Sequence, residues 1–380
     1  MNKKINVGVV GCGYWGPNLI RNFRSLPDCN LKTICDKSED RLQHFSTLYP
    51  EVEGSPNFDY LLNGVDLEAI VIATPVHLHH KLAKASLLAG KHTFIEKPMA
   101  SSSEECEELI DIAREKGLTL MIGHTFLYSP PVRKIKEIVD NGDIGDLQYI
   151  SSSRLNLGLF QKDINVVWDL APHDISIILY IMGKSPISLN CQGAAHITPG
   201  IEDVTNMSLK FENGGFATIR NSWLDPRKVR EMTIVGTKRM IVYDDIEPLQ
   251  KIRVYDMHVA RPPHYDTFAE FQYSYHYGDM YVPHLKQEEP LKVECQHFLD
   301  CIRTGKEPMS GGANGLEMVE VLEASSRSLQ QNGAQVSIRE KLLTETDSET
   351  VAEVQEPTGF AGHVHPFVRQ PFGPKASSFR

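Results

Sequence analysis

The segment that most narrows what this chain can fold into is Gly11-Cys12-Gly13-Tyr14-Trp15-Gly16. The spacing G-x-G-x-x-G is common on its own, but here the β-branched run Ile5 to Val10 leads into it and the amphipathic segment Tyr14 to Phe23 leads out. Between a buried strand and a helix, the first Gly makes the tight turn. The second lets the main chain approach a pyrophosphate, and the third lets helix and strand pack closely. The helix N-terminus then offers unpaired N–H groups to phosphate. Asp36 closes the next strand, where a carboxylate accepts from ribose hydroxyls and so favours NAD; Lys37 beside it keeps NADP open through a 2′-phosphate. Gly11, Gly13, Tyr14, Trp15, Gly16, Asp36 and Lys37 are therefore the first candidates for cofactor contact.

The strand-then-helix rhythm continues. Leu31 to Cys35, Ala69 to Thr74, Thr93 to Glu96 and Leu118 to Ile122 have the length and branching of buried parallel strands. Lys37 to Leu48, His80 to Ala89 and Ser102 to Lys116 read as helices between them, the last opening on a capping-box pattern and stopping at Gly117. Such alternation predicts a doubly wound parallel sheet with right-handed crossovers over residues 1–125. From Leu147 the strands become longer and alternate in polarity: Leu147 to Arg154, Ile187 to His196, Asn206 to Phe211 and Phe216 to Trp223, with a hairpin turn at Glu212-Asn213-Gly214-Gly215. One helix, Asp169 to Met182, interrupts them; Leu291 to Ile302 and Gly315 to Gln331 follow, and a short strand closes at Ile338. The expectation for 126–342 is an α+β domain on one large, mostly antiparallel open sheet. Residues 343–380 are acidic at first and then aperiodic, and read as a flexible tail.

The chain length of 380 residues exceeds one ordinary core, in keeping with two domains. A formal charge of −10 argues against non-specific binding to nucleic acid or anionic membrane, so an anionic ligand needs a local basic pocket. The seven cysteines form no C-x-x-C pair and read as reduced thiols in a cytosol. No run approaches the roughly 20 apolar residues of a membrane span, and the basic N-terminus lacks the cleavage pattern of a signal peptide.

Glu96-Lys97-Pro98 falls at the carboxyl end of an expected parallel strand, the edge at which open α/β sheets bind ligands. Pro98 biases Lys97 toward an extended conformation that projects into the cleft. Trp168-Asp169-Leu170-Ala171-Pro172-His173 opens the helix of the second domain, with Asp169 near its N-cap and Pro172 in its first turn. Asp169 and His173 share a face, where the carboxylate can orient a His able to take a proton near neutral pH. The competing reading is an Asp cap beside a His on an apolar helix. His77, His79 and His80 have no Cys or acidic residue spaced with them, so packing near the cofactor is their expected role and no metal is expected.

These residues resemble the glucose-fructose oxidoreductase/inositol dehydrogenase family, Gfo/Idh/MocA. The likeness runs from about residue 4 to 338 through Gly11 to Gly16, Ala73-Thr74-Pro75 with His79, Ala89-Gly90-Lys91-His92, Glu96-Lys97-Pro98, Gly142-Asp143-Ile144-Gly145 and Asp169-x-x-x-His173. The resemblance implies a Rossmann domain, a second domain whose sheet forms homo-oligomer interfaces, as a dimer or tetramer, and NAD(P)-dependent oxidation or reduction of a sugar or cyclitol. It casts Lys97 as donor to the reacting oxygen, His173 as general acid/base and Asp169 as its positioner or a substrate contact. Thr74, Pro75, His77, His79, Glu96 and Lys97 join the cofactor candidates, and the Lys97-Pro98 peptide is often cis in such proteins. Where the family carries an Asn and an Arg, this chain has Gly123-His124-Thr125-Phe126-Leu127-Tyr128.

The function that follows is a cytoplasmic dehydrogenase acting on a secondary hydroxyl, with C3 of a nucleotide-linked hexose in surface-polysaccharide synthesis as the leading substrate. His124, Tyr128, Arg154, Asn156 and Trp168 are substrate candidates; Arg154, Lys162, Arg227 and Arg230 are cations for a diphosphate. Inositol or free-sugar oxidation, a redox-neutral glycosidase reaction and a non-catalytic NAD sensor stand as alternatives. Residues 255–284 hold six of the chain's 13 Tyr, with His258, His264, His276 and His284, and read as aromatic-rich strands covering the sheet, with a sugar-stacking wall or a subunit interface also open.

Overall fold

The computed structural model describes residues 3–63, 66–212, 214–260 and 274–339. The tail from 343, Asn213 of the expected hairpin turn and His264 lie outside the described residues. Met1–Arg339 belong to one compact unit.

The first sheet contains β1 (Ile5–Val10), β2 (Cys29–Cys35), β3 (Glu53–Ser55), β4 (Ala69–Ile72), β5 (His92–Glu96) and β6 (Leu120–Gly123). It is parallel throughout, in the order β3-β2-β1-β4-β5-β6. Helices α1 (Gly16–Ser25), α2 (Glu39–Leu48), α3 (Phe58–Asn63), α4 (His79–Leu88) and α5 (Ser103–Glu115) link its strands. β4 and β6 are buried along their whole length, which is why they read as unbroken apolar runs. Strand order reverses at β1, so ligands are expected in the crevice above the carboxyl ends of β1 and β4. At α5 the Ser102 hydroxyl accepts from Glu105 N while the Glu105 carboxylate accepts from Ser101 N, close to the anticipated capping box.

After α6 (Pro130–Asp140) come β7 (Leu147–Leu157), α7 (Val166–Met182), β8 (Pro186–Ala194), β9 (Val204–Phe211), β10 (Phe216–Ser222), β11 (Leu224–Gly236), β12 (Met240–Asp244), β13 (Ile252–Ala260) and β14 (Ser274–Tyr281). Helices α8 (Pro290–Thr304) and α9 (Gly312–Gln330) and strand β15 (Val336–Ser337) complete the described chain. The nine strands form one sheet in the order β14-β13-β12-β11-β7-β10-β9-β8-β15. Every pairing is antiparallel except β7 with β10. The long β7 lies at its centre and α7 packs across it, burying Ile175, Ile178 and Leu179 against Ile150, Ile219 and Ile234.

Two helix starts and one packing relationship that bear on the site depart from the sequence reading. α1 begins at Gly16 rather than Tyr14, with a Pro in its first turn and Tyr14 left in the loop. α7 begins at Val166, because the Asn165 side chain accepts from Trp168 N and caps the helix earlier than Asp169 could. Pro172 therefore lies inside α7, not in its first turn, and deprives the Trp168 carbonyl of its helical donor. Finally, α8 returns from the second sheet to the first: Phe298 meets Phe23 and Phe94 edge-on at centroid distances of 6.3 and 5.7 Å, and Leu291, Cys295 and Leu299 join the same core. Among the described residues, no helix is long and apolar enough to cross a membrane.

Candidate active site

The three glycines after β1 do three different things. Gly11 has φ +96°, and a Cβ on it would lie 2.5 Å from the Ala73 carbonyl oxygen. A Cβ on Gly16 would fall on the Gly11 carbonyl, so the third glycine sets how closely the helix approaches the strand. Gly13 has only Arg41 Nη1, at 4.0 Å, near its missing side chain, which leaves its main chain open to a ligand. Asp36 turns into this loop: Oδ2 accepts from Cys12 N at 2.6 Å and Oδ1 from Ser38 N at 2.8 Å. Arg41, which the sequence did not single out, reaches Asp36 Oδ2 at 3.5 Å.

On the other side of the crevice, Thr74 Oγ1 is buried with no hydrogen-bond partner. Pro75 and His77 stand exposed at the rim, Lys37 likewise beyond Asp36. His79 behaves differently: it is 1% exposed, with Nε2 2.7 Å from the Thr74 carbonyl and Nδ1 2.7 Å from the Pro98 carbonyl. Its ring has almost no surface to give a cofactor and instead ties the Thr74 loop to the Lys97-Pro98 segment. Burial pulls its pKa down, against the two carbonyls. His80 turns away to Glu108, 2.6 Å off, so the three histidines share no ligand position.

Lys97 leaves the end of β5 through a cis peptide to Pro98, and its Nζ donates to the Asp169 main-chain carbonyl at 3.1 Å. Burial lowers the Lys97 pKa, opposed by the Asp169 and Glu96 carboxylates. One turn further along α7, the His173 ring lies edge-on to Phe126 at 5.1 Å. Burial, then the charges of Lys97, Arg154 and Arg230 and the neighbouring His124, hold its pKa well below the ordinary value. These surroundings favour the neutral imidazole, which is the form that can accept a proton. His124 completes the group: burial beside Lys97 brings its pKa down to about 4, and its Nε2 is buried without a partner.

Glu96 is buried just behind Lys97; burial pushes its pKa up to about 7, against the Lys97 charge, and Oε1 is unpartnered. A neighbour that no sequence pattern marks is Glu294 on α8, fully buried, with Oε2 accepting from Thr125 Oγ1 at 2.7 Å. Burial and then the Glu96 charge raise its pKa well above the usual carboxylate range. No local pattern marks Glu294, because it reaches the site only through the return of α8.

Several expected substrate contacts are turned elsewhere. Tyr128 is buried, with its hydroxyl 2.9 Å from Ser310 Oγ, because the turn it occupies folds under α8. Trp168 donates Nε1 to Ser326 Oγ at 3.0 Å and packs toward α9. Arg154 is committed to a buried bidentate pair with Asp174, at 2.9 and 3.0 Å, and stacks over Phe126, so it meets the site as a fixed charge rather than a free diphosphate ligand. Asp169 does not bond to His173 among the described residues; its Oδ2 accepts from Trp223 Nε1 at 3.0 Å. Asn156 lies half-buried two residues beyond Arg154 on β7, Arg230 pairs with Asp245 at 3.5 Å, and Lys162 and Arg227 are exposed.

The open Gly13, the positive-φ Gly11 turn and the unpartnered Thr74 Oγ1 and Glu96 Oε1 fit a dinucleotide running from the β1 loop toward Lys97. Residues 5–124 match the oxidoreductase family with NAD-binding Rossmann fold, and residues 132–242 match the GFO/IDH/MocA C-terminal domain. Over 345 residues the chain is 28% identical to an uncharacterized oxidoreductase of Bacillus subtilis (strain 168), covering 87% of this chain and 95% of the relative. It is 28% identical over 243 residues to the UDP-N-acetylglucosamine 3-dehydrogenase of Acidithiobacillus ferrooxidans, covering 63% and 74% of the two chains. A solved structure of the latter superposes with a TM-score of 0.74 at 22% identity, over 87% of this chain and 99% of that one.

Proposed function

The chain belongs to the Gfo/Idh/MocA oxidoreductase family and binds NAD(P) through its Rossmann sheet, and on that premise we propose that it transfers hydride between nicotinamide and a secondary hydroxyl or ketone of a sugar, with C3 of a nucleotide-linked hexose as leading substrate. The observation that carries this reading is the meeting of Lys97 with α7, 3.1 Å from the Asp169 carbonyl, one turn from the neutral His173.

NAD, when bound, supplies the hydride acceptor. His173 takes the hydroxyl proton on its imidazole, which burial keeps unprotonated. Lys97 donates to the same oxygen and stabilises the negative charge that develops there. His124, with Nε2 free to bond, orients the alcohol or the ring beside it. Asp169, fixed by Trp223, holds the turn of α7 from which His173 projects. In the reverse direction His173 returns the proton to a ketone.

The nucleotide-sugar assignment is supported by the likeness to a UDP-N-acetylglucosamine 3-dehydrogenase. With Arg154 engaged by Asp174, the diphosphate falls to Lys162, Arg227 and main-chain N–H groups. In this reading residues 1–125 serve the cofactor and 126–342 serve the substrate and self-association through the second sheet. The test is a panel of UDP-sugars, free sugars and inositols with NAD and with NADP, followed at the nicotinamide absorbance. Turnover with UDP-sugars above the rest supports the reading; turnover confined to inositols overturns it.

A further inference from the structure

The Tyr- and His-rich segment after residue 255 contains a feature that neither the cofactor nor the sugar site uses. Asp256 and His258 on β13 and His276 on β14 each bring one donor atom to a common point, all within 4.8 Å of one another. His258 and His276 are directly opposed across the strand pair, with ring centroids 4.7 Å apart and planes inclined by 31°. Asp256 is two residues before His258, at a shift in register between Tyr255 and Met257. The irregularity re-aims its carboxylate toward the histidines. Gly278 gives that carboxylate its room, since any side chain there would collide with Asp256 Oδ2.

The three groups are half arranged as ligands already. Asp256 Oδ2 and His276 Nε2 lie 3.0 Å apart, close to the separation of about 3.3 Å between two ligands on one tetrahedral ion with bonds near 2.0 Å. His258 Nδ1 is buried and has no hydrogen-bond partner. Arg239 stands 3.7 Å from the other carboxylate oxygen, Oδ1, and leaves Oδ2 to the cluster. Two imidazoles and a carboxylate, with no thiolate, suit a borderline divalent ion such as Zn2+.

The geometry points to a divalent transition-metal site formed by Asp256, His258 and His276, which clasps β14, the outermost strand of the second sheet, to β13. On binding, the ion takes the place of the proton between Asp256 and His276 and gains His258 as its third protein ligand; a water fills the remaining position. The sequence could not show this, because the third ligand arrives from a neighbouring strand.

The test uses the full chain and Zn2+ alone, titrated against a chromophoric chelator. Because the chain has 15 His, the readout is the difference between wild type and His258→Gln, His276→Gln and Asp256→Asn. Wild type is expected to hold one Zn2+ at least about tenfold more tightly than each variant. Equal stoichiometry and affinity in all four proteins overturns the site. A second measurement needs no variant: Zn2+ should protect His258 and His276 from diethyl pyrocarbonate while the exposed His44 stays reactive, and equal reactivity with and without Zn2+ contradicts the proposal.

Discussion

Lys97 Nζ donates to the main-chain carbonyl of Asp169 at 3.1 Å, and so joins the carboxyl end of β5 to the early turns of α7. The bond sets the ammonium group of one sheet within a helical turn of the His173 imidazole that belongs to the other. Pro172 lies between the two α7 residues, where its missing N–H and ring loosen the helical hydrogen bonding of the preceding turn. The proposed site is this juxtaposition, and neither group alone.

Gly11 and Gly16 shape the turn, whereas the proposed role of Gly13 is toward the ligand alone. A Gly13→Val substitution meets no nearby atom in the free protein apart from Arg41, at 4.0 Å from the Cβ position. The melting temperature should stay within about 2 °C of wild type, while NAD affinity falls at least about tenfold, equivalent to about 1.4 kcal/mol. Calorimetric titration with NAD and a thermal melt without it make the comparison.

Arg154 and Asp174 form a buried pair, 6% and 5% exposed. Removing one partner strands the other charge, so Asp174→Ala should cost about 3–5 kcal/mol in denaturant unfolding. The double variant Arg154→Met with Asp174→Leu should recover more than half of that loss, because it removes both charges together. A double variant as unstable as the single one would show that the pair's hydrogen bonds, and not its charge balance, carry the effect.

Burial holds His124 near a pKa of about 4 against an ordinary 6.5. Between those values the unfolded chain binds the extra proton and the folded chain does not. His124's share of stability is therefore present above pH 6.5 and lost as pH falls toward 4, by at most about 3 kcal/mol. His124→Asn should lose less stability than wild type between about pH 7 and about pH 5 in urea unfolding. Glu96, raised to about 7, acts in the opposite direction over part of this window, but it does so in both proteins.

Much of this was legible in the chain. Ile5–Val10, Gly11, Gly16 and Asp36 announce the first sheet and its crevice, because local turn chemistry and buried parallel strands leave strong sequence marks. Lys97 and His173 stand out for the same reason: one precedes a Pro at a strand end and the other shares a helix face with an Asp. Glu294, Trp223 and Asp174 did not stand out, since each is defined by a partner far away in sequence. An aromatic side chain near a site looks identical in sequence whether it faces the cleft or the core, as the buried Tyr128 shows. Asn165 and Asp169 are both competent caps for α7, and only the packed helix shows that the earlier one is used.

The account rests on Lys97 and His173 acting on one substrate oxygen. The direct measurement is sugar-dependent formation of NADH by wild type, Lys97→Ala and His173→Ala, together with NAD affinity for each. Both variants should lose at least about a hundredfold in kcat at saturating NAD, with His173→Ala binding NAD as wild type does. Activity within a few-fold of wild type in both variants would contradict the assignment.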